Sequence, residues 1–426
     1  MKLGLSDGSR VCIMGGGPAG SFAALHLLGY AQAAGLSLDV QIFEPRDFSR
    51  RGPVGCNGCA GILSSRLLAG LDELGVVLPP QVIRSYIRAY EVHLDGEALP
   101  IEAPNPASEI VSVYRGGGPR LATGDSGPSF DGFLLAAACG RGARHLPLRV
   151  RQVTWEDKPV VYAGSEVVPA DLIVLATGVN ARPPLSPRFG YRPPRTETMA
   201  QDEFERPPDW PNDVVRAYFR VPRGLVFGAL IPKGEHLNVS LLGRGLTADA
   251  VRDFLEVHGL DRSFPSIDRS LCGCTPRIAV DRARSYFGDR WVAVGDAAVT
   301  RLYKDGIGSA LATSRAAMLA AVTHGIGMTD FQRFYAPACR AIARDNRSGR
   351  WLFSLWTRAL ANPEIVRAWK AVLRQESQER SGRLTHTRIL WGMLTGDEPY
   401  ETLLRLLLTP GNLAAIWRAN RRTGHD

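Results

Sequence analysis

The sequence predicts an α/β fold in which a Rossmann-like dinucleotide-binding domain is interleaved with an antiparallel-sheet domain and followed by a helical C-terminal region. Residues 10–44 read as a buried strand, a glycine-rich turn, a helix and a second strand. Two further buried-strand runs, at residues 171–178 and 291–294, lead into small residues and extend the same parallel sheet. Residues 82–113 and 214–243 read instead as strands joined by turns, and residues from 331 onward are helical in pattern.

The first turn carries a G-x-G-x-x-G motif at Gly15, Gly17 and Gly20. Gly15 permits the tight turn out of the strand, Gly17 lets backbone approach a pyrophosphate, and Gly20 lets the helix pack close to the strand. The helix N-terminus adds free N–H groups and the positive end of its dipole. An ordinary glycine-rich turn is the alternative, but the strands, glycines and helix follow the order of a dinucleotide-binding motif.

The second strand ends at Glu44, which lies 24 residues after Gly20. This is near the interval of about 20 residues at which an acidic side chain accepts hydrogen bonds from ribose hydroxyls. An acid at this point disfavours the 2′-phosphate of NADP, so the motif predicts FAD or NAD.

Composition limits the functional classes. The 426 residues are 45% hydrophobic and 22% charged, which is typical of a globular protein of two or three domains. There is no uninterrupted apolar run of about 18 residues and no signal-sequence pattern, so we expect a cytoplasmic protein. Seven scattered cysteines, an odd number, do not resemble a secreted disulfide framework.

The net charge of +9 is concentrated at the C-terminal end, where residues 330–426 hold sixteen basic and nine acidic residues and five of the eight tryptophans. Helices with interleaved Arg and Trp suit peripheral contact with a membrane surface or a protein partner. The alternative that we favour is a helical cap with inward-packed tryptophans and solvated arginines. Nucleic acid is not expected, because no matching motif is present.

The segment at residues 182–211 is rich in proline and charged residues, and we predict that it is an excursion of the chain over the protein surface.

A C-x-x-C pair, Cys56 and Cys59, lies in the loop after Glu44 and has three interpretations. One is a redox dithiol or a single reactive thiol near a cofactor. Another is half of a metal site completed by Cys272 and Cys274, although no histidine accompanies either pair. The third is a set of inert loop cysteines. We predict no metal site.

The other strong signal is a strand at residues 291–294 followed by Asp296 and a helix that opens on Gly306, Ile307 and Gly308. Asp296 can accept from ribityl or ribose hydroxyls, and amides at the helix N-terminus suit the flavin N1/O2 edge, which gains negative charge on reduction. The alternative is a structural strand-to-helix turn.

A third candidate segment contains three glycines flanked by Arg115 and Arg120. It either holds an adenine or phosphate edge of a ligand or is a flexible loop.

Together these motifs resemble the para-hydroxybenzoate-hydroxylase-type flavoproteins, and within them the geranylgeranyl reductase family, over about residues 10–325. The resemblance rests on GGGPAG with Glu44, on the helix start at Phe130-Asp131, on LATG at 175–178, and on GDAA with GIG at 295–308. Cys59-Ala60-Gly61 and IPKGEHLNVSLLG at 231–243 are similar to segments of the reductase subgroup.

The chain departs from that family in two places. The pocket motif P-x-x-Y-x-W-x-F-P maps onto residues 224–232, where Phe227, Ala229 and Ile231 replace its aromatic side chains. Tyr303-Lys304-Asp305 precedes the glycines where the family has a proline. A positive charge on Lys304 near the flavin is predicted to favour its anionic reduced form.

The resemblance implies FAD as the cofactor. It implies that the first glycine motif with Glu44 holds the ADP half, Asp296 the ribityl–pyrophosphate region, and the second glycine motif the isoalloxazine. The candidate FAD-binding residues are Gly15, Gly17, Pro18, Ala19, Gly20, Glu44, Arg46, Arg120, Gly178, Asp296, Gly306, Ile307 and Gly308. The expected boundaries are 1–81, 114–181 and 272–328 for the FAD-binding domain, 82–113 and 182–271 for the substrate-binding β domain, and 329–426 for the helical region.

The function we expect is reduction of a carbon–carbon double bond in a small substrate that is apolar or lipid-like, with Cys59 or Cys56 as proton donor or pocket wall, because a thiol of pKa about 8.5 can donate. The alternatives are a flavin monooxygenase acting on an aromatic substrate and a non-catalytic flavin redox sensor or partner protein. No second G-x-G-x-x-G is present, so the electron donor is expected to be transiently bound NAD(P)H or a reduced protein.

Overall fold

The computed structural model describes residues 3–52, 60–105, 107–120, 122, 127–219, 224–264, 272–378 and 384–423. Cys56 and Cys59 lie outside the described residues, so their proposed roles remain predictions. The strands are β1 (Arg10–Met14), β2 (Asp39–Phe43), β3 (Ile62–Leu63), β4 (Ile83–Tyr86), β5 (Ala89–Leu94), β6 (Glu97–Glu102), β7 (Val111–Val113), β8 (Arg144–Leu146), β9 (Val150–Trp155), β10 (Pro159–Ala163), β11 (Glu166–Pro169), β12 (Leu172–Leu175), β13 (Thr196–Glu205), β14 (Val214–Tyr218), β15 (Leu225–Lys233), β16 (His236–Gly243), β17 (Arg277–Ala279), β18 (Phe287–Gly288) and β19 (Trp291–Ala293). The helices longer than five residues are α1 (Pro18–Ala33), α2 (Ser65–Glu73), α3 (Phe130–Gly140), α4 (Ala250–Val257), α5 (Gly306–Thr323), α6 (Ala336–Leu360), α7 (Pro363–Gln378), α8 (Thr385–Thr395), α9 (Tyr400–Leu407) and α10 (Pro410–Thr423).

A six-stranded sheet in the order β18-β19-β12-β1-β2-β8 forms the Rossmann-like part. Its neighbours are parallel except β18 and β19. The apolar residues of β1 and β12 are buried, as expected for strands covered on both faces, and α1 packs against α3 and α5. The carboxyl ends of β1, β12 and β19 therefore meet at one edge, where the glycine turn, Gly178 and Asp296 follow. The predicted α/β class is confirmed.

A seven-stranded, mainly antiparallel sheet in the order β17-β13-β16-β15-β14-β5-β6 forms a second layer. One face of this sheet packs under α4, and the other contributes to a core shared with the C-terminal helices. Both faces are therefore covered, which explains why β15 and β16 are almost continuously buried. Two smaller three-stranded sheets, β3-β7-β4 and β11-β10-β9, complete the described strands.

The predicted surface excursion at residues 182–211 is wrong for its second half. Residues 196–205 form β13, which pairs with β16 along seven positions and with β17 along three. Gln201 and Asp202 are polar, which favoured a surface segment in the sequence, but both are buried inside the sheet. Asp202 is accommodated because its carboxylate accepts hydrogen bonds from the backbone N–H groups of Cys272 and Gly273, at 2.7 and 3.3 Å.

The C-terminal region is helical, as predicted, and begins with a π-helical turn at Phe331–Tyr335. Trp356, Trp369 and Trp391 are buried against the seven-stranded sheet, whereas Trp351 and Trp417 are 62% and 54% exposed. Inward packing therefore holds for three of the five tryptophans. Within the part of the chain that the structure describes, no helix has the length and apolar character needed to cross a membrane.

Candidate functional site

One cavity of about 1020 Å³ connects the edge of the six-stranded sheet with a face of the seven-stranded sheet. Its walls include the glycine turn, the end of β2, the start of α5, the inner face of β15 and β16, and the end of α8. Elements from all parts of the chain thus converge on one space. Predicted residues that line it are Gly15, Gly17, Pro18, Ala19, Glu44, Arg46, Gly178, Asp296, Lys304, Gly306 and Ile307.

The glycine turn is closed so tightly that side chains are excluded at two of the three glycines of the motif. Gly15 has a φ of +105°, and a Cβ there would lie 2.6 Å from the carbonyl oxygen of Ala176. A Cβ on Gly20 would lie 1.8 Å from the carbonyl oxygen of Gly15. At Gly17 the nearest protein atom would be 3.6 Å away, which is an ordinary contact. The protein itself would therefore leave room for a side chain at position 17. This agrees with the prediction that a ligand lies close to the backbone there.

Glu44 is 3% exposed and faces the turn. Its Oε2 accepts from the Gly16 backbone N–H at 3.0 Å, and its Oε1 accepts from the backbone N–H of Arg46 at 2.9 Å. Oε1 also accepts from Arg46 Nε at 3.3 Å, and since a carboxylate has about four acceptor sites, one remains for a hydroxyl donor from the cavity. The prediction that Glu44 binds ribose hydroxyls is compatible with this arrangement.

A buried ion pair lies behind the glycine turn. The Arg115 guanidinium donates from Nε and Nη2 to the two carboxylate oxygens of Asp131, at 2.9 and 2.8 Å. Asp131 is fully buried at the start of α3, and burial raises its pKa while Arg115 lowers it. Burial likewise raises the pKa of Asp296, and Arg115 opposes the shift. Arg115 is therefore a cation that acts on both carboxylates, and Arg46 also lowers the pKa of Asp131.

The start of α5 is held in an unusual backbone conformation. Tyr303 and Asp305 have φ values of +63° and +52°, a region that side-chain-bearing residues seldom adopt. Asp305 caps the helix, because its Oδ1 accepts from the Gly308 backbone N–H at 3.1 Å. Burial raises the pKa of Asp305 to about 6, and Arg301 opposes the shift. Arg301 itself donates to the carbonyl oxygens of Gly396 and Glu398, and so ties this turn to the end of α8.

Asp305→Ala is expected to lower the free energy of unfolding by about 1–2 kcal/mol, because the cap is lost and alanine disfavours a positive φ. Asp305→Asn is the control, since asparagine caps helices and tolerates this conformation. Urea unfolding of both variants at pH 7 measures the difference. Equal loss in the two would contradict the capping role.

Lys304 lies between these two strained residues and lines the cavity. Its Nζ lies 3.7 Å from the centroid of the Phe227 ring, and it forms no hydrogen bond or ion pair with a described residue. Burial, and secondly the charge of Arg301, lower the pKa of Lys304 to about 7. Its ammonium group can therefore release a proton near neutral pH.

Several predicted residues lie away from the lining. Gly20 and Gly308 shape the two helix starts rather than face the cavity, and Arg120 is exposed with its Cβ next to Gly52. Their part in cofactor binding remains a prediction. Among the described residues, no group of three or more His, Cys, Asp or Glu is arranged to hold a metal ion.

The wall of the cavity that β15 forms is mainly apolar. Phe227, Ala229 and Ile231, the residues mapped onto the family's pocket motif, all line the cavity from β15. Sequence reasoning did not identify Tyr90 of β5 or Leu394 and Thr395 of α8, which line the same space. No local motif marks these positions, because only the tertiary fold brings residues so distant in sequence together.

The residues fit an FAD molecule by two features of the structure. The first is Gly17 in the glycine turn, where an added Cβ would lie 3.6 Å from the nearest protein atom, so that space beside the backbone is open to a ligand. The second is Thr177, which lines the cavity and whose buried hydroxyl has no hydrogen-bond partner among the described residues. The N-terminus of α1 has glycine as its cap and no acidic residue in its first turn, so it favours a ligand with negative charge.

The sequence matches no protein-family model, and no curated protein matches it. Solved structures do match. A geranylgeranyl bacteriochlorophyll reductase-like protein from Thermoplasma acidophilum shares 17% identity over 95% of this chain and 99% of its own, with a TM-score of 0.60. A flavoprotein/dehydrogenase from Cytophaga hutchinsonii shares 16% identity over 93% of this chain and 98% of its own, with a TM-score of 0.58. An oxygenase of 2-methyl-3-hydroxypyridine-5-carboxylic acid shares 17% identity over 82% of this chain and 91% of its own, with a TM-score of 0.56. The chain has the fold of these proteins, as the motif resemblance predicts.

Proposed function

We propose that the protein is an FAD-dependent oxidoreductase that reduces a carbon–carbon double bond of an apolar substrate. The observation that carries the proposal is one continuous cavity, which runs from the glycine turn and Glu44, past Asp296 and the start of α5, to an apolar sheet face. A dinucleotide stretched along the first part would bring its reactive end beside the second. The reductase-like and oxygenase structures share this fold, so the fold alone supports either reaction.

Each part of the site has a role in this proposal. The glycine turn and Glu44 would hold the ADP half, and Asp296 the ribityl chain. When bound and reduced, FAD supplies a hydride. The amides at the N-terminus of α5 stabilise negative charge beside them, and Lys304 Nζ holds a proton that it can donate into the cavity. Phe227, Ala229 and Ile231 exclude water and favour an apolar molecule over a charged one.

The electron donor is proposed to be NAD(P)H or a reduced protein that binds transiently at the cavity mouth. Arg149, Arg151, Arg182 and Arg277 are exposed and line the cavity, and none of them pairs with a carboxylate of a described residue. This positive rim suits nucleotide phosphates or an acidic protein surface. A rate of flavin reduction that falls as ionic strength rises would support electrostatic docking, and a rate independent of salt would contradict it.

The test uses the full-length protein reconstituted with FAD. We expect a yellow 1:1 complex that, once reduced without oxygen, is reoxidised faster by an alkene acceptor than by dissolved oxygen. Rapid reoxidation by oxygen with hydroxylated product would favour the monooxygenase alternative. A stable flavin complex that reacts with neither would favour a redox sensor or partner protein, and a folded protein that binds no FAD would reject all three.

A further inference from the structure

Tyr90 is a cavity-lining residue that carries an unsatisfied hydrogen-bond donor. The side chain lines the cavity from β5 and is 1% exposed, and its hydroxyl has no hydrogen-bond partner among the described residues. A hydroxyl removed from water without a partner is unfavourable, so such a group in a ligand-sized cavity indicates a partner supplied by a ligand. Burial, and secondly the Asp397 carboxylate, raise the pKa of Tyr90, so the hydroxyl is neutral and can donate.

The ring of Tyr90 is held in place by the C-terminal helices. It packs edge-on against Trp391 of α8, with ring centroids 5.6 Å apart. Trp391 is fixed in turn, because its Nε1 donates to Asp397 Oδ2 at 3.2 Å. Asp397 also accepts from the Ser65 hydroxyl at 3.0 Å. The donor is therefore preorganised, and an incoming ligand does not have to order it.

The register of the strands shows that Tyr90 lies far from the end of the cavity at which Lys304 lies. Tyr90 pairs with Val215 on β14, and the β14–β15 register continues this row to Ile231. Phe227, which Lys304 contacts, lies four residues along β15 from Ile231, or roughly 13 Å. Tyr90 lies two strand spacings to the side of β15, or roughly 10 Å. A ligand that reaches both ends is therefore elongated.

We propose that Tyr90 donates a hydrogen bond to a neutral oxygen on the substrate, at the end opposite the reacting double bond. The substrate class is thus an elongated, mostly apolar molecule that carries one hydroxyl, ether or carbonyl oxygen. This inference rests on the proposed function for the position of the reacting bond. The recognition of the oxygen by Tyr90 does not depend on bound flavin.

The experiment compares three probes with equal chains: 9-decen-1-ol, its methyl ether and 1-decene. Binding to the full-length protein, with and without added FAD, is followed by quenching of tryptophan fluorescence. We expect the alcohol and the ether to bind about tenfold more tightly than the alkene, because each accepts the Tyr90 hydrogen bond. Tyr90→Phe should remove this advantage and leave the affinity for 1-decene unchanged.

Tyr218→Phe is the matched control, because Tyr218 lies on the neighbouring strand in the core on the opposite face of the sheet. It should leave all three affinities unchanged. Without ligand, Tyr90→Phe should also unfold at an equal or higher temperature than the wild type, since it removes a hydroxyl that lacks a partner. The proposal is overturned if wild-type protein does not prefer the oxygen-bearing probes, if Tyr90→Phe retains the preference, or if this variant is less stable without ligand. Failure of FAD binding alone would leave the flavin-free titration intact.

Discussion

Gly20→Ala is expected to lower the free energy of unfolding by about 3 kcal/mol or more and to prevent FAD from binding. The new Cβ would lie 1.8 Å from the carbonyl oxygen of Gly15 and 3.2 Å from Ile13 Cγ2. The first of these atoms is backbone in a turn that cannot shift without moving α1 away from β1. Urea unfolding and titration with FAD, followed by flavin fluorescence, measure the two effects.

Gly29→Ala is the control, because it makes the same change in the same helix. A Cβ there meets no atom within 4 Å, and alanine in a helix interior is more favourable than glycine by about 0.5–1 kcal/mol. We therefore expect Gly29→Ala to be neutral or stabilising and to bind FAD like the wild type. If the two substitutions had equal effects, the close approach of α1 to the turn would not be what requires glycine at position 20.

The parts of the site that local sequence predicts are those formed by short segments with a fixed geometry. A buried strand followed by three spaced glycines and a helix has one common solution, and β1, the turn and α1 follow it. The same holds for β19, Asp296 and the start of α5, where small residues leave room between strand and helix. In both cases the chemistry and the local backbone are encoded within one short, continuous segment of the chain.

The parts that sequence did not predict depend on contacts between distant residues. Tyr90 lines the cavity only because β14 pairs with both β5 and β15 and so joins them in one sheet, and Leu394 reaches the cavity because Arg301 anchors the end of α8. β13 was misread since its buried polar side chains are stabilised by partners from other segments. Patterns of hydrophobicity carry no information about such partners, so the apolar end of the cavity could not be derived from them.

Lys304 is expected to control the pH dependence of substrate reduction. Because burial and Arg301 lower its pKa to about 7, the ammonium form is present below pH 7 and is lost above it. If Lys304 donates the proton that completes the reduction, the rate should fall as the pH rises through about 7. Lys304→Met should lower the rate by about 10²- to 10⁴-fold and abolish this pH limb. Anaerobic single-turnover reoxidation of the reduced protein by an alkene acceptor, between pH 6 and 9, measures both.

Lys304→Arg separates proton donation from charge, because arginine stays protonated throughout this range. Lys304→Arg should keep the midpoint potential of bound flavin but lower the rate of reoxidation by the alkene acceptor, whereas Lys304→Met should change both. Lys158→Met, at a half-exposed ion pair with Asp171, is the control that should change neither.

The pH dependence of the free energy of unfolding tests the lowered pKa of Lys304 independently. The folded pKa near 7 lies below the unfolded value of 10.5, so the unfolded chain binds more protons between these values, and stability should rise with pH there. Loss of that slope in Lys304→Met would confirm that the lysine is buried. An unchanged slope together with an unchanged rate would remove Lys304 from the mechanism.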